Sequence, residues 1–397
     1  MNIRRVKFRD IEQIPQMQVR QNFKQDFFGS SPAPFIGRYG YPKVNIGVLS
    51  PQSVEDTSIY DSPRVWSAAS FPIGKIASMR YELVNSRTQA HIKDSRMAEK
   101  FREICREVGM ASKPVEMEIS LEKQPTVPLY QEREIIPFGP QAAIRTARIT
   151  SNPRIDTRVE KVVSDTDLKA AEGMLQLYQK GFEESSLNKL LSVGNLGLAR
   201  NRKLVPTRWS ITATDDTIGK QLIAEIKDFP LGEYRCFFGG GWGNYYLLLF
   251  FPEVWSYELF ETYLESPVNP WSKQGLRYST DYESYEGRKE YAEETAGGYY
   301  ACRLPVLEKM KQLKRQQACL ALRFITPEYN VPLGVWVCRE ATRKSTQEQP
   351  LCFASEELMM RYAREFIVRK FGFDISVLLT ESKLLQQKKE QTKLSQF

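Results

Sequence analysis

The sequence predicts an α+β fold of mixed sheets and helices, in two closely packed halves followed by a flexible C-terminal tail. Three observations lead there. Residues 115–121 alternate, with Val115, Met117, Ile119 and Leu121 on one face, the two-residue period of a half-buried strand. Residues 217–227 place Ile218, Leu222, Ile223 and Ile226 on one face at helical spacing. Residues 234–238 and 245–251 are apolar and aromatic runs on either side of a glycine cluster, as in a β-hairpin. At 397 residues there is room for two domains or one large one.

Taken in order, residues 1–26 read as a polar helical segment. Residues 27–34 (Phe-Phe-Gly-Ser-Ser-Pro-Ala-Pro) are rich in turn formers and read as a loop. A glycine-punctuated strand region follows over 35–49, then a polar loop over 50–63. Helical periodicity runs from about 88 to 108, with Gly109 as its C-cap. A proline-bearing stretch, 124–140, crosses to the second half. Residues 165–183 read as a helix, 209–214 as a short strand and 254–264 as a helix. Helices are also expected over 304–317 and 355–370, the last with Glu356 and Glu357 in its first turn and Gly372 after its end. Strands are expected over 319–325 and 331–337. The implied division is 1–26, 27–140, 141–380 and a tail of 381–397.

Formal charge is +8, and residues 1–50 carry eight Lys/Arg against three acids. A basic face suits an anionic partner such as nucleic acid, although an excess of this size is also common among soluble proteins. The six cysteines are scattered and form no Cys-x-x-Cys, so no zinc site is expected. His91 is the only histidine, which rules out multi-histidine metal sites and argues against Ser-His-Asp chemistry. No catalytic motif and no cofactor are assignable. The charged start predicts no secretory leader, and the longest apolar run, 245–251, is too short to span a membrane. A cytoplasmic, intracellular protein with reduced thiols is expected.

Three segments could carry function. Residues 37–47 interleave Arg38 and Lys43 with Tyr39 and Tyr41. Cations neutralise phosphates and aromatic faces stack on bases, the combination used for single-stranded nucleic acid. The alternative is a strand-turn-strand with tyrosines half in the core. Residues 200–209 hold Arg200, Arg202, Lys203 and Arg208 with no acid and end in Trp209, a pattern for phosphate contact or a solvated basic loop. Asp215 and Asp216 follow. They read either as N-caps of the helix after them or as weak metal candidates for phosphodiester chemistry. Residues 239–244 match no phosphate-loop pattern and read better as a hairpin turn with an exposed Trp242.

The last seven residues add a further signal. Gln391, Leu394 and Phe397 are spaced three apart, so in a 3₁₀ turn they lie one above the other, Leu394 and Phe397 forming an apolar plug. This resembles the PIP box, the peptide by which replication and repair proteins bind the sliding clamp PCNA. The usual form ends in two adjacent aromatics; here there is one. The plain alternative is a helix end packed on the body.

Taken together, Phe28-Gly-Ser-Ser-Pro32, Gly37-Arg-Tyr-Gly-Tyr-Pro-Lys-Val-Asn45, residues 200–216, Gly297-Gly-Tyr-Tyr-Ala301 and Pro332-Leu-Gly-Val-Trp336 resemble, in this order, the Nre family of archaeal DNA repair proteins. The resemblance runs from about residue 22 to 355. It implies an Nre N-terminal domain over 27–140, a C-terminal domain over 141–380 and a role on damaged DNA with the clamp and other repair proteins, associated with the nucleoid. Family members often begin with a cysteine-rich, finger-like segment; this chain has no cysteine before Cys105. Two other readings stay open: a metal-dependent nuclease or other enzyme acting on DNA or a nucleotide, and a protein-only repair scaffold.

Overall fold

The computed structural model describes residues 3–14, 22–93 and 98–394, the side chains of 391–394 excepted. It has the expected α+β class, with two mixed sheets. The chain divides into two compact units. One comprises Gln13–Ile218 with Val331–Gly334. The other comprises Met1–Glu12, Gly219–Asn330 and Val335–Phe397.

The start of the chain is not helical. Ile3–Arg5 is a strand, β1, and Phe8–Asp10 is a single 3₁₀ turn. Residues 15–21 of the expected helical segment lie outside the described residues.

In the first unit, the strands are β2 (Asp26–Ser31), β3 (Ala33–Ile36), β4 (Lys43–Ser50), β5 (Val84–His91), β6 (Val115–Leu121) and β7 (Gln141–Ile149). They form a sheet in the order β2-β6-β7-β5-β4-β3, parallel only between β5 and β7. The helices are α1 (Pro63–Ala68), α2 (Ile73–Tyr81), α3 (Glu99–Met110), α4 (Thr157–Ser164), α5 (Ala170–Gln179) and α6 (Glu184–Ser192). Strand β6 has the bounds its alternation predicts, and Val115, Met117, Ile119 and Leu121 are all buried. They share a core with Phe101, Cys105 and Val108 of α3, which recur at helical spacing.

Two expectations fail here. Residues 27–34 are not a loop but the strands β2 and β3, interrupted at Pro32. Residues 88–108 are not one helix but the end of β5 followed by α3, with Gly109 inside the last turn. Turn-forming residues in β2 are tolerated because the sheet satisfies their backbones and Ser31 Oγ donates to Leu49 O at 2.8 Å. Of residues 165–183, the α-helix occupies only Ala170–Gln179.

Helix α7 (Thr207–Ile226) begins in the first unit and ends in the second. It absorbs both the expected strand at 209–214 and the expected helix at 217–227. Its first amides, Trp209 N and Ser210 N, donate to Pro206 O at 2.8 and 3.0 Å.

The second unit holds β8 (Tyr234–Gly241), β9 (Asn244–Phe251), β10 (Ser256–Tyr263), β11 (Leu276–Glu283), β12 (Ala318–Ile325) and β13 (Leu351–Phe353). With β1 they form a seven-stranded sheet, β1-β11-β10-β12-β9-β8-β13. Its helices are α8 (Gly297–Leu313), α9 (Trp336–Gln347), α10 (Glu356–Phe371), α11 (Ser376–Glu381) and α12 (Lys383–Leu394). Leu247, Leu249 and Phe251 of β9, with Leu320, Leu322 and Phe324 of β12, pack in one core with Met359, Ala363 and Ile367 of α10. On the other face, Tyr246 reaches Cys302 of α8, oxygen to sulfur 3.0 Å. Helix α10 is capped as its sequence predicts: Ser355 Oγ accepts from Leu358 N at 3.3 Å, and Gly372 takes the left-handed conformation at φ 65°.

Residues 254–264 are a strand, not a helix. Every residue of Tyr257–Tyr263 is buried, so the alternation that marks a one-sided strand is absent. Its two acids, which break the apolar pattern, are internal: Glu261 pairs with Arg323, and Glu258 receives the start of α12. Residues 331–337 are likewise not a strand; a loop leads into α9 at Trp336. Trp242, expected at an exposed turn, is half-buried, 5.1 Å from the Trp336 ring with Lys344 Nζ 4.6 Å from its centroid.

Candidate nucleic-acid interface

Two segments remote in sequence meet in the first unit. The first is the turn between β3 and β4. Gly40 sits there at φ 86°, and a Cβ would lie 2.6 Å from Lys43 O, so only glycine closes this turn without strain. The Tyr41–Pro42 peptide is cis. The second is the start of α7. Thr207 Oγ1 accepts from Ile36 N at 2.9 Å, fixing the helix start against the end of β3.

This join places Trp209 beside Tyr41, ring centroids 5.0 Å apart and tilted by 58°. Both rings remain open to solvent, Tyr41 at 44% and Trp209 at 42%, and Tyr39 is 66% exposed. Two exposed tyrosines on the β3–β4 turn and an exposed tryptophan at the start of α7 form an aromatic ledge.

The cations behind the ledge are less available than the sequence suggests. Arg38 Nε lies 2.7 Å from Glu132 Oε2, with its guanidinium 4.9 Å from the Tyr39 centroid. Arg208 pairs with Glu134 and, at 3.7 Å, with Glu132. The two arginines and two glutamates are one neutral cluster. Burial raises the Glu132 carboxyl above the ordinary range, opposed by the charges of Arg38 and Arg208 and reinforced by Glu134. Sequence reading missed both glutamates. They lie in the irregular stretch between β6 and β7, where only two acids two residues apart hint at them.

Arg200 sits on a 3₁₀ turn (Ala199–Asn201) and is exposed, as are Lys203 and Lys43. Arg202 is held by the backbone: its Nε donates to Gly197 O at 2.8 Å and its Nη2 to Asp165 O at 3.0 Å. Asp215 and Asp216 do not cap a helix. They lie inside α7, and Asp215 is fully buried. No group of three or more metal-ligating side chains occurs among the described residues.

The C-terminal approach is held, not loose. Glu258, buried in β10, accepts from Ser382 Oγ at 2.5 Å, Lys383 N at 3.1 Å and Leu384 N at 3.0 Å, so a carboxylate caps the start of α12. Leu384 and Leu385 are buried, and Lys388 pairs with Glu356 at 2.9 Å and Glu253 at 3.3 Å. Residues 381–388 are therefore part of the body rather than a flexible tail. The backbone of Gln391 and Leu394 is in α12; their side chains, and Phe397 altogether, lie outside the described residues.

The model for the N-terminal part of archaeal Nre proteins matches residues 7–272, and that for the C-terminal part matches residues 283–397. The chain belongs to the archaeal Nre family. Among curated Nre proteins, it is 36% identical over 382 residues to DNA repair protein NreB of Archaeoglobus fulgidus, covering 96% of this chain and 94% of that protein. It is 36% identical over 326 residues to DNA repair protein NreA of Haloferax volcanii, covering 79% and 76%. It is 34% identical over 328 residues to DNA repair protein NreA of Archaeoglobus fulgidus, covering 82% and 81%. No solved structure matches this Nre chain. No helix among its described residues is long and apolar enough to cross a membrane.

Proposed function

We propose that this Nre family member is a DNA repair factor that contacts damaged DNA through the Tyr39–Tyr41–Trp209 ledge and is recruited to the sliding clamp PCNA by Gln391, Leu394 and Phe397. The names of its relatives support the repair role. The ledge is the observation that carries the DNA contact. Exposed rings stack on unpaired bases, and the exposed Lys43, Arg200 and Lys203 add phosphate neutralisation in the same unit. Asp215 lies buried inside α7, which takes away one of the two carboxylates the nuclease reading relied on.

The test is an electrophoretic shift on single-stranded, duplex and forked DNA at low salt. Forms with unpaired bases are expected to bind in preference to blunt duplex. An absence of binding to every form at low salt overturns the reading and leaves the scaffold.

The carboxylate cluster makes a second expectation. In the free protein Glu132 and Glu134 occupy the guanidinium groups that a phosphate would take. Replacing both with glutamine frees Arg38 and Arg208, and single-strand affinity at pH 7 should rise by about fivefold, roughly 1 kcal/mol. Because burial raises the Glu132 carboxyl, acidification protonates it before an ordinary carboxylate and releases Arg38 in the wild type as well. The advantage of the double variant should therefore narrow as pH falls. Anisotropy titrations of both proteins at two pH values check this; an advantage that widens on acidification contradicts it.

A further inference from the structure

A second feature of the first unit stands on its own. The outer face of α3, Val163 at the end of α4, the turn at Gly194–Asn195 and the 3₁₀ turn at Ala199–Asn201 enclose a cleft of about 530 Å³. Asn195 Nδ2 donates to Arg106 O at 3.1 Å and fixes that turn against α3. Four cations line the space: Lys93, Arg102, Arg106 and Arg202.

Three of them are arginines held in place by the fold. Arg102 is buried, with two guanidinium nitrogens on the carbonyls of Ile92 and Lys93, each at 3.1 Å. Arg202 also donates to two backbone carbonyls, which orient it without neutralising it. Arg106 reaches Glu103 through one terminal nitrogen at 2.5 Å, while its Nε is buried with no hydrogen-bond partner. Burial, and then the charge of Arg106, makes Arg202 harder to keep protonated. Two arginines therefore repel one another across a concave surface with donor capacity left over. An anion between them would relieve both the repulsion and the unmet donor.

The rim narrows the class of anion. Glu99, Glu103 and Glu107 line the same cleft and are exposed. A continuous nucleic-acid backbone laid along this rim would pass three carboxylates, whereas a compact group entering between the arginines would not. Among the described residues the lining contains no aromatic side chain, so these offer no platform for a base. A volume of this size suits a small molecule or the end of a strand. Guanidinium groups match tetrahedral phosphate oxygens by paired, charge-assisted hydrogen bonds.

We propose that this cleft binds a phosphomonoester, held by Arg106 and Arg202 with Arg102 and Lys93 beside them. The phosphate belongs either to a free small molecule or to the terminus of a DNA strand. The site does not depend on the aromatic ledge.

Calorimetric titration of the full-length protein tests this at fixed ionic strength. The probes are deoxyadenosine monophosphate against deoxyadenosine, and a 5′-phosphorylated oligothymidylate against its 5′-hydroxyl form. At least one phosphorylated probe should bind about tenfold or more tightly than its partner. Which one responds identifies the source. Arg106→Gln should weaken that binding by about tenfold or more, and Glu103→Gln, which frees the competing guanidinium, should strengthen it. The Arg106 side chain pairs with Glu103 at the surface and its carbonyl bond to Asn195 is untouched by substitution, so its variant is expected to fold. Equal binding of phosphorylated and unphosphorylated probes, or binding unchanged in both variants, overturns the proposal.

Discussion

Replacing Tyr41 and Trp209 together by alanine is expected to weaken single-stranded DNA binding by at least about 30-fold. A base stacked on an aromatic ring is worth about 1–3 kcal/mol, and about 1.4 kcal/mol is a factor of ten. Two stacking positions thus remove roughly 2–6 kcal/mol. The fold should survive. Both rings are more than two-fifths exposed, and their principal aromatic neighbour in the structure is each other. The salt dependence should change little, because the exposed Lys43, Arg200 and Lys203 remain. Replacing those three by glutamine should do the reverse: the salt slope falls by up to about two while stacking preference persists. Circular dichroism alongside the binding titration separates lost contacts from lost structure. A double aromatic variant that binds as the wild type does would remove the ledge from the account.

The second large effect concerns the C-terminus. Leu394→Ala with Phe397→Ala is expected to abolish capture by immobilised PCNA. Burying a leucine and a phenylalanine gives on the order of 3–6 kcal/mol before ordering costs. A bare peptide contact of that size is tens of micromolar at best (about 6 kcal/mol), so loss of both side chains takes it below detection. The anchor at Glu258 sharpens the expectation. With Ser382, Leu384, Leu385 and Lys388 fixed to the body, the chain is anchored as far as Lys388 rather than leaving the body at 381. A short reach gives a high effective concentration if the geometry matches and none if it does not. The backbone through Leu394 is α-helical in the free chain, so a 3₁₀ plug on the clamp requires the last turn to rewind. Freeing the helix by Glu258→Gln should therefore change clamp affinity without touching the motif. Undiminished capture of the alanine double variant contradicts clamp recruitment through these residues.

The elements that sequence reading places well are those whose signals are local. Strand β6 alternates because one face meets α3 and the other is more open. Helix α10 carries its own cap at Ser355 and its own stop at Gly372. Reading fails where burial on both faces erases periodicity, as at β10, whose internal Glu258 and Glu261 imitate the polar face of a helix. It fails again at Trp209, where a helix start reads as a strand because six residues cannot separate the two periods. Of the candidate site, the residue types were legible: Tyr39, Tyr41 and Trp209 are exposed aromatics beside cations. Their adjacency was not, since it depends on one hydrogen bond between Ile36 and Thr207. Nor was the neutralisation of Arg38 and Arg208, which needs two glutamates from an irregular segment. Arg106 carries no sequence signal of its own; only the fold brings it into one cleft with Arg202.

The claim at the centre of this account is that DNA lies across the aromatic ledge. Photocrosslinking to a single strand carrying bromodeoxyuridine, followed by peptide mapping, tests it most directly. The account predicts adducts on Tyr39, Tyr41 or Trp209, lost in the double aromatic variant. Adducts that avoid all three, and persist unchanged in that variant, would contradict it.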